Sequence, residues 1–214
     1  MVVSSQDPKP DLLLLDKQLS FAEYLHIKSV IVLNKIDVDK KQEFQKIKNI
    51  YEKIGYTVIE TQAKNKFGVP ELKQKLKGNI NAFSGNSGVG KSTLINSLFG
   101  KNMTQEGEVS TKNKRGKNTT TAIQLYEIEK NTYIADTPGF STFEITEIQS
   151  NELGKYFKEF KEHIQECEFI GCTHIKEENC GIKKAIQNRE ISQERYERFC
   201  KIYEQLKEKE KRKW

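Results

Sequence analysis

Hydrophobic residues in this chain arrive in short bursts, each followed by a polar, highly charged stretch. The bursts predict strands at Val2-Val3, Val30 to Asn34, Tyr56 to Thr61, Ile80 to Ser84, Ala122 to Ile128 and Tyr133 to Asp136. Several are nearly continuous in Val, Ile and Leu, the pattern of strands covered on both faces. Helical spacing lies between them. Asp16 to His26 carries Leu19, Ala22 and Leu25; Asp39 to Ile54 carries Phe44, Ile47, Ile50 and Ile54; Lys91 to Phe99 follows a glycine-rich loop. Strand alternating with helix predicts an α/β fold with a mostly parallel sheet. Near residue 146 the pattern changes to charged helix without strand signal. Leu153, Tyr156, Phe157 and Phe160 predict one helix there, and Arg195, Phe199, Ile202 and Leu206 another. The expected division is residues 1–145 and 146–214.

Composition adds limits. The 214 residues are 36% hydrophobic and 31% charged, with net charge +6. That suits a globular protein and allows an anionic partner such as RNA. No run reaches the roughly 18 apolar residues of a membrane span. The first residues lack the basic and apolar regions of a signal peptide, so the cytoplasm is the expected compartment.

Chemistry enters at Gly85-Asn86-Ser87-Gly88-Val89-Gly90-Lys91-Ser92, which fits G-x-x-x-x-G-K-[ST] between a predicted strand and helix, with Thr93 following. Glycines let the backbone wrap phosphates, and successive N–H groups at the helix start point at them. Lys91 would bridge the β- and γ-phosphates and the Ser92 hydroxyl would ligate Mg²⁺. Asn34-Lys35-Ile36-Asp37 has the N-K-x-D form at a strand end. An Asp37 carboxylate can accept from guanine N1–H and the 2-amino group, donors that adenine lacks at those positions, so the nucleotide is GTP. Asn34 would tie this loop to the phosphate loop, and the Lys35 stem would pack on the base. Thr61-Gln62-Ala63-Lys64 has the form of a weaker guanine-contacting element.

Asp136-Thr137-Pro138-Gly139 fits D-x-x-G: Asp136 would hold Mg²⁺ through water and the Gly139 N–H would sense the γ-phosphate. The polar loop Lys112 to Thr121 offers Thr119 or Thr120 as a further Mg²⁺ ligand. The guanine motif precedes the phosphate loop, so the G domain is circularly permuted, and its γ-phosphate sensor leads directly into the C-terminal region. In that region Cys167-x₄-Cys172-x-His174-x₅-Cys180 suits one tetrahedral, closed, structural Zn²⁺.

On the permuted order, Asp136-Thr137-Pro138-Gly139-Phe140 and the Cys-x₄-Cys-x-His-x₅-Cys cluster, the chain resembles the RsgA (YjeQ) family of ribosome-biogenesis GTPases. The resemblance implies a P-loop GTPase fold, circularly permuted, with a small C-terminal helical zinc-binding domain. It also implies GTP hydrolysis to GDP, stimulated by the 30S subunit during late maturation, and contacts to ribosomal RNA. The family's OB-fold is expected to be missing from this chain and the first G-domain strand truncated; a monomer is expected. Asn118 stands where the family usually has histidine, and can orient water but not act as a base; Phe140 stands where many GTPases have glutamine. Lys183, Lys184, Arg189, Arg195, Arg198 and Lys201, with the tail Lys211-Arg212-Lys213, are predicted to meet phosphates. The alternative function is a GTP-switched RNA- or protein-binding module with negligible turnover. A P-loop kinase or ATPase has no use for Asp37.

Overall fold

The computed structural model describes residues 1–39, 42–100, 124–136 and 143–212. Strand β1 (Val2–Ser4) leads through helix α1 (Leu12–Tyr24) to β2 (Val30–Asn34), and α2 (Glu43–Lys53) leads to β3 (Thr57–Thr61). These strands pair in parallel in the order β1-β2-β3. Helix α3 (Val69–Leu76) then precedes β4 (Ile80–Ala82), and α4 (Lys91–Phe99) follows the glycine-rich loop. The pair β5 (Gln124–Glu129) and β6 (Thr132–Asp136) is antiparallel, and β6 pairs in parallel with β4. Val2 N–H donates to Ser84 O at 2.8 Å, so β1 meets the chain leaving β4. The C-terminal region holds α5 (Gly181–Gln187) and α6 (Gln193–Arg212).

Contacts divide the chain into two compact units. One is Met1–Pro10, Val30–Lys48 and Thr57–Ser141; the other is Asp11–Ser29, Asn49–Tyr56 and Thr142–Trp214. The first has a core of strand and helix residues including Val32, Ile59, Leu72, Phe83, Leu94 and Ile134. The second is built on aromatics: Phe157 and Phe160 are fully buried, and both pack edge-on to Phe199 at 5.0 and 4.9 Å.

Local chemistry explains where the elements start and stop. The Asp11 carboxylate accepts from Leu14 N at 2.9 Å and starts α1 four residues before the predicted Asp16. The Asp39 carboxylate accepts from Glu43 N and Phe44 N, both at 3.0 Å, which delays α2 to Glu43. Helices α3 and α5, 8 and 7 residues long, are too short to show a helical period in the sequence. One expectation is overturned. The stretch through Leu153, Tyr156, Phe157 and Phe160 is not one α-helix but successive 3₁₀ turns, Ser150–Tyr156, Lys158–Phe160 and Ile164–Glu166. Phe157 is extended (φ −98, ψ 106) and interrupts them. Gly154 is needed there because a Cβ would meet the His174 ring at 2.9 Å, and glycine is a poor α-helix former.

Candidate nucleotide site and metal cluster

The glycine-rich loop is shaped by positions that accept no side chain. Gly85 (φ +140) has the Val2 carbonyl where a Cβ would go, and Gly90 (φ +95) has the Asn34 amide there. Gly90 is left-handed and opens α4, whose Leu94 N–H bonds back to Gly90 O at 2.9 Å. The Lys91 ammonium reaches back over the loop to Gly85 O at 2.7 Å and Asn86 O at 2.8 Å. Partial burial lowers its pKa. Ser87, Gly88, Ser92 and Thr93 are exposed around the loop and the first turn of α4, at the positive end of the helix dipole. Anions are favoured at such a position.

Asn34, 1% exposed at the end of β2, joins three segments through one amide. Its Nδ2 donates to Val89 O at 2.9 Å; its Oδ1 accepts from Thr61 Oγ1 at 3.0 Å and from Ala63 N at 3.3 Å. The loop after β2, the loop after β3 and the phosphate loop therefore hold a common register. Lys35 follows in a left-handed conformation (φ 66), and Asp37 lies exposed in the 3₁₀ turn Ile36–Val38. Between these segments is a cavity of about 260 Å³, walled by Asn34, Lys35 and Asp37, by Ala63 and Lys64, and by Gly90 and Thr93. It opens beside the start of α4, next to the glycine-rich loop.

The four predicted metal ligands come together in the second unit. Cys167, Cys172, His174 and Cys180 have their ligand atoms within 4.8 Å of one another. His174 Nδ1 is 3.6 Å from Cys167 Sγ and 3.4 Å from Cys180 Sγ, and the two sulfurs are 4.0 Å apart. An ion bound roughly 2.3 Å from sulfur and 2.0 Å from nitrogen has tetrahedral edges of about 3.5–3.8 Å, so the cluster fits. Burial pushes the Cys172 thiol up to about 12, raises Cys180 and lowers His174. Without an ion these groups stay neutral; a cation is what draws out the thiolates. Glu177 fastens the turn carrying two of the ligands. Its carboxylate accepts from Thr173 N (2.8 Å), Thr173 Oγ1 (2.9 Å), Ile175 N (3.1 Å) and Lys176 N (3.1 Å). Burial would raise its pKa, but these donors hold it at about 2.

The sequence matches the RsgA GTPase family over residues 1–146. The chain belongs to that family. It is 42% identical over 208 residues to the small ribosomal subunit biogenesis GTPase RsgA of Ruminiclostridium cellulolyticum, covering 97% of this chain and 68% of that protein. It is 40% identical over 209 residues to the protein of the same description from Thermotoga neapolitana, covering 96% and 70%. Among solved structures, YjeQ from Thermotoga maritima superposes with a TM-score of 0.79 at 36% identity, covering 96% of this chain and 69% of that one. YloQ, described as a circularly permuted GTPase, superposes with a TM-score of 0.79 at 28% identity, covering 98% and 67%.

Within this RsgA-family chain the sequence-derived residues fall as follows. Residues Gly85 to Thr93 form the loop and helix start, Asn34 to Asp37 the turn beside it, and Asp136 ends β6. Asn118, Thr119, Thr120 and Gly139 lie outside the described residues, as does the start of the predicted strand at Ala122. One prediction is corrected: Arg195 is not a phosphate contact. It is 1% exposed, its guanidinium paired with Asp16 and Glu159. Arg198 is also committed to Asp16, and Lys183 Nζ donates to Glu177 O at 2.9 Å. Lys184, Arg189 and Lys201 are exposed. Sequence reasoning missed Gln6 and Asp7, which line the same cavity as Asn34 and Asp37. The available signal was position: they follow the carboxyl end of a parallel strand, where α/β proteins bind ligands.

Proposed function

We propose that this chain hydrolyses GTP to GDP and phosphate in the maturation of the small (30S) ribosomal subunit. The observation that carries the reading is the Asn34 amide, which fixes the Asp37 turn and the phosphate loop at one spacing. Asp37 reads the guanine edge and Lys35 lies along the ring. The N–H groups of Gly85 to Lys91 and the Lys91 ammonium hold the phosphates, and so stabilise charge that spreads over the γ-phosphoryl oxygens in the transition state. Ser92, Asp136 and Thr119 or Thr120 would offer hard oxygen donors to Mg²⁺, and the ion would supply neutralisation of the phosphate charge. Gly139 serves as the γ-phosphate sensor, and Asn118 orients the attacking water.

Three thiols and an imidazole with no open position support one structural Zn²⁺ per chain. A functional boundary near residue 145 is supported by the family match ending at residue 146. The relatives' shared description, small ribosomal subunit biogenesis, supports 30S rRNA as partner and the cytoplasm as compartment. Exposed Lys184, Arg189 and Lys201 are the residues offered to phosphates. Among the described residues no helix is long and apolar enough to cross a membrane.

The test is GTP turnover against 30S concentration at two salt levels. The expected result is slow intrinsic hydrolysis, accelerated by subunits and less so at high salt. Turnover unchanged by saturating subunits would leave a GTP-binding module without the proposed coupling.

A further inference from the structure

The turn that follows β1 belongs to none of the motifs, yet it borders the base cavity. Gln6 and Asp7 line that cavity beside Asn34, Lys35 and Asp37. The Asp7 carbonyl accepts a hydrogen bond from Lys35 Nζ at 2.7 Å. Pro8 stands against the phosphate loop, with its Cδ 3.4 Å from where a Gly88 Cβ would be. Ser4, 1% exposed, donates its hydroxyl to Pro8 O at 2.7 Å and closes the turn from inside. Ser4 is itself placed by the sheet, in register with Asn34 on β2.

A lysine stem is long and flexible, and ordering it costs rotamer entropy. Here both ends are fixed. The left-handed backbone of Lys35 (φ 66) sets where Cβ points, and Asp7 O takes the ammonium. The methylenes between form an apolar strip of set orientation along the cavity wall, a surface on which a planar base can lie. The Lys35–Asp7 hydrogen bond is exposed to solvent. A base laid over the stem would cover it and strengthen it in the drier surroundings.

We infer that Ser4–Pro8 is a positioning element of the guanine site, a backbone clip that holds Lys35 against the base. This rests on the GTP reading above. The clip acts on the base side, so it favours GDP and GTP equally.

The experiment follows release of a fluorescent GDP from the full chain in a double-mutant cycle. Lys35→Met keeps an unbranched apolar stem and removes the ammonium; release should quicken about tenfold, the loss of one good hydrogen bond and its ordering. Ser4→Ala frees the turn and should quicken release about threefold. The double variant should release no faster than Lys35→Met, because the turn then has nothing left to hold. A non-hydrolysable GTP analogue should show the same ratios. If Ser4→Ala lowers the thermal midpoint, Pro8→Gly, which loosens the same turn, is put through the same cycle. Unchanged release in the turn variant, or effects that multiply in the double variant, would overturn the clip while leaving the GTP reading intact. A wild-type chain that does not retain guanine nucleotide would overturn both.

Discussion

At the scale of single residues, two carboxylates do different work because their surroundings differ. Asp37 is exposed in a turn, free to accept from a ligand. Glu177 is saturated by four donors, so it organises the chain and coordinates nothing. Asp37→Asn should lower GTP affinity by about 2–4 kcal/mol, the value of a charge-assisted bidentate contact, and should restore binding of xanthosine triphosphate. Titrating both nucleotides against both proteins checks this; ATP binding as tight as GTP in the wild type would refute the assignment. Glu177→Ala strands the N–H groups of Thr173, Ile175 and Lys176. Metal should then leave to a chelator about tenfold or more faster, as when supporting shells are removed from metal sites, with Glu177→Gln in between. Equal release rates would show that the turn holds itself.

At the scale of elements, a buried ionic cluster joins α1, α2 and α6 within the second unit. Asp16 is fully buried on α1; it pairs with Arg195 and Arg198 of α6, and accepts the Tyr51 hydroxyl of α2 at 2.6 Å. Burial alone would lower the Arg195 pKa, but Asp16 and Glu159 outweigh it and hold the guanidinium charged. Removing one member leaves buried charge uncompensated, so Asp16→Ala should cost about 3–5 kcal/mol in urea unfolding. A cost below 1 kcal/mol would show that water relieves the arginines.

This cluster also marks what the sequence could not disclose. Strands β2 and β3 were legible because parallel strands covered on both faces spell themselves as apolar runs. The glycine-rich loop, the Asn34–Asp37 turn and the Cys/His cluster were legible because each follows a fixed pattern of residue type and spacing. Asp16 and Arg195 carried no such constraint, being 179 positions apart and ordinary on amphipathic helices. The apolar spacing of Leu153 to Phe160 fits a 3₁₀ turn as well as an α-turn, and Gly154 decides between them through packing on His174. The role of Asp7 rests on a carbonyl oxygen that every residue possesses.

At the scale of the whole molecule, metal, protons and stability are linked. Burial raises the folded, metal-free thiols of Cys172 and Cys180 above their ordinary range. At neutral pH an incoming ion must displace both protons, so affinity should climb with pH, by up to about tenfold per unit for each retained proton. Competition titrations at three pH values between 6 and 8.5, on the order of one unit apart, measure the slope. In the metal-free chain the sign runs the other way. The folded state keeps protons that the unfolded state gives up, so stability is full below the ordinary thiol pKa and falls as pH rises through it toward about 12 for Cys172. A zinc affinity flat across that range would mean the thiols are already ionised.

The two units are interleaved along the chain, not concatenated. Residues Asp11–Ser29 and Asn49–Tyr56 are encoded among the strands of the first unit but count with Thr142–Trp214. A gene cut after residue 145 therefore strips Asp16 and Tyr51 of their arginines, and what remains is a nucleotide unit with an orphaned helix attached. For the same reason a single recombination event cannot hand this C-terminal unit to another GTPase: helix α1 must travel with it, or change in step. Inheritance should show the trace, with substitutions at position 16 accompanied by substitutions at 195 and 198 across the breadth of the sequence between them.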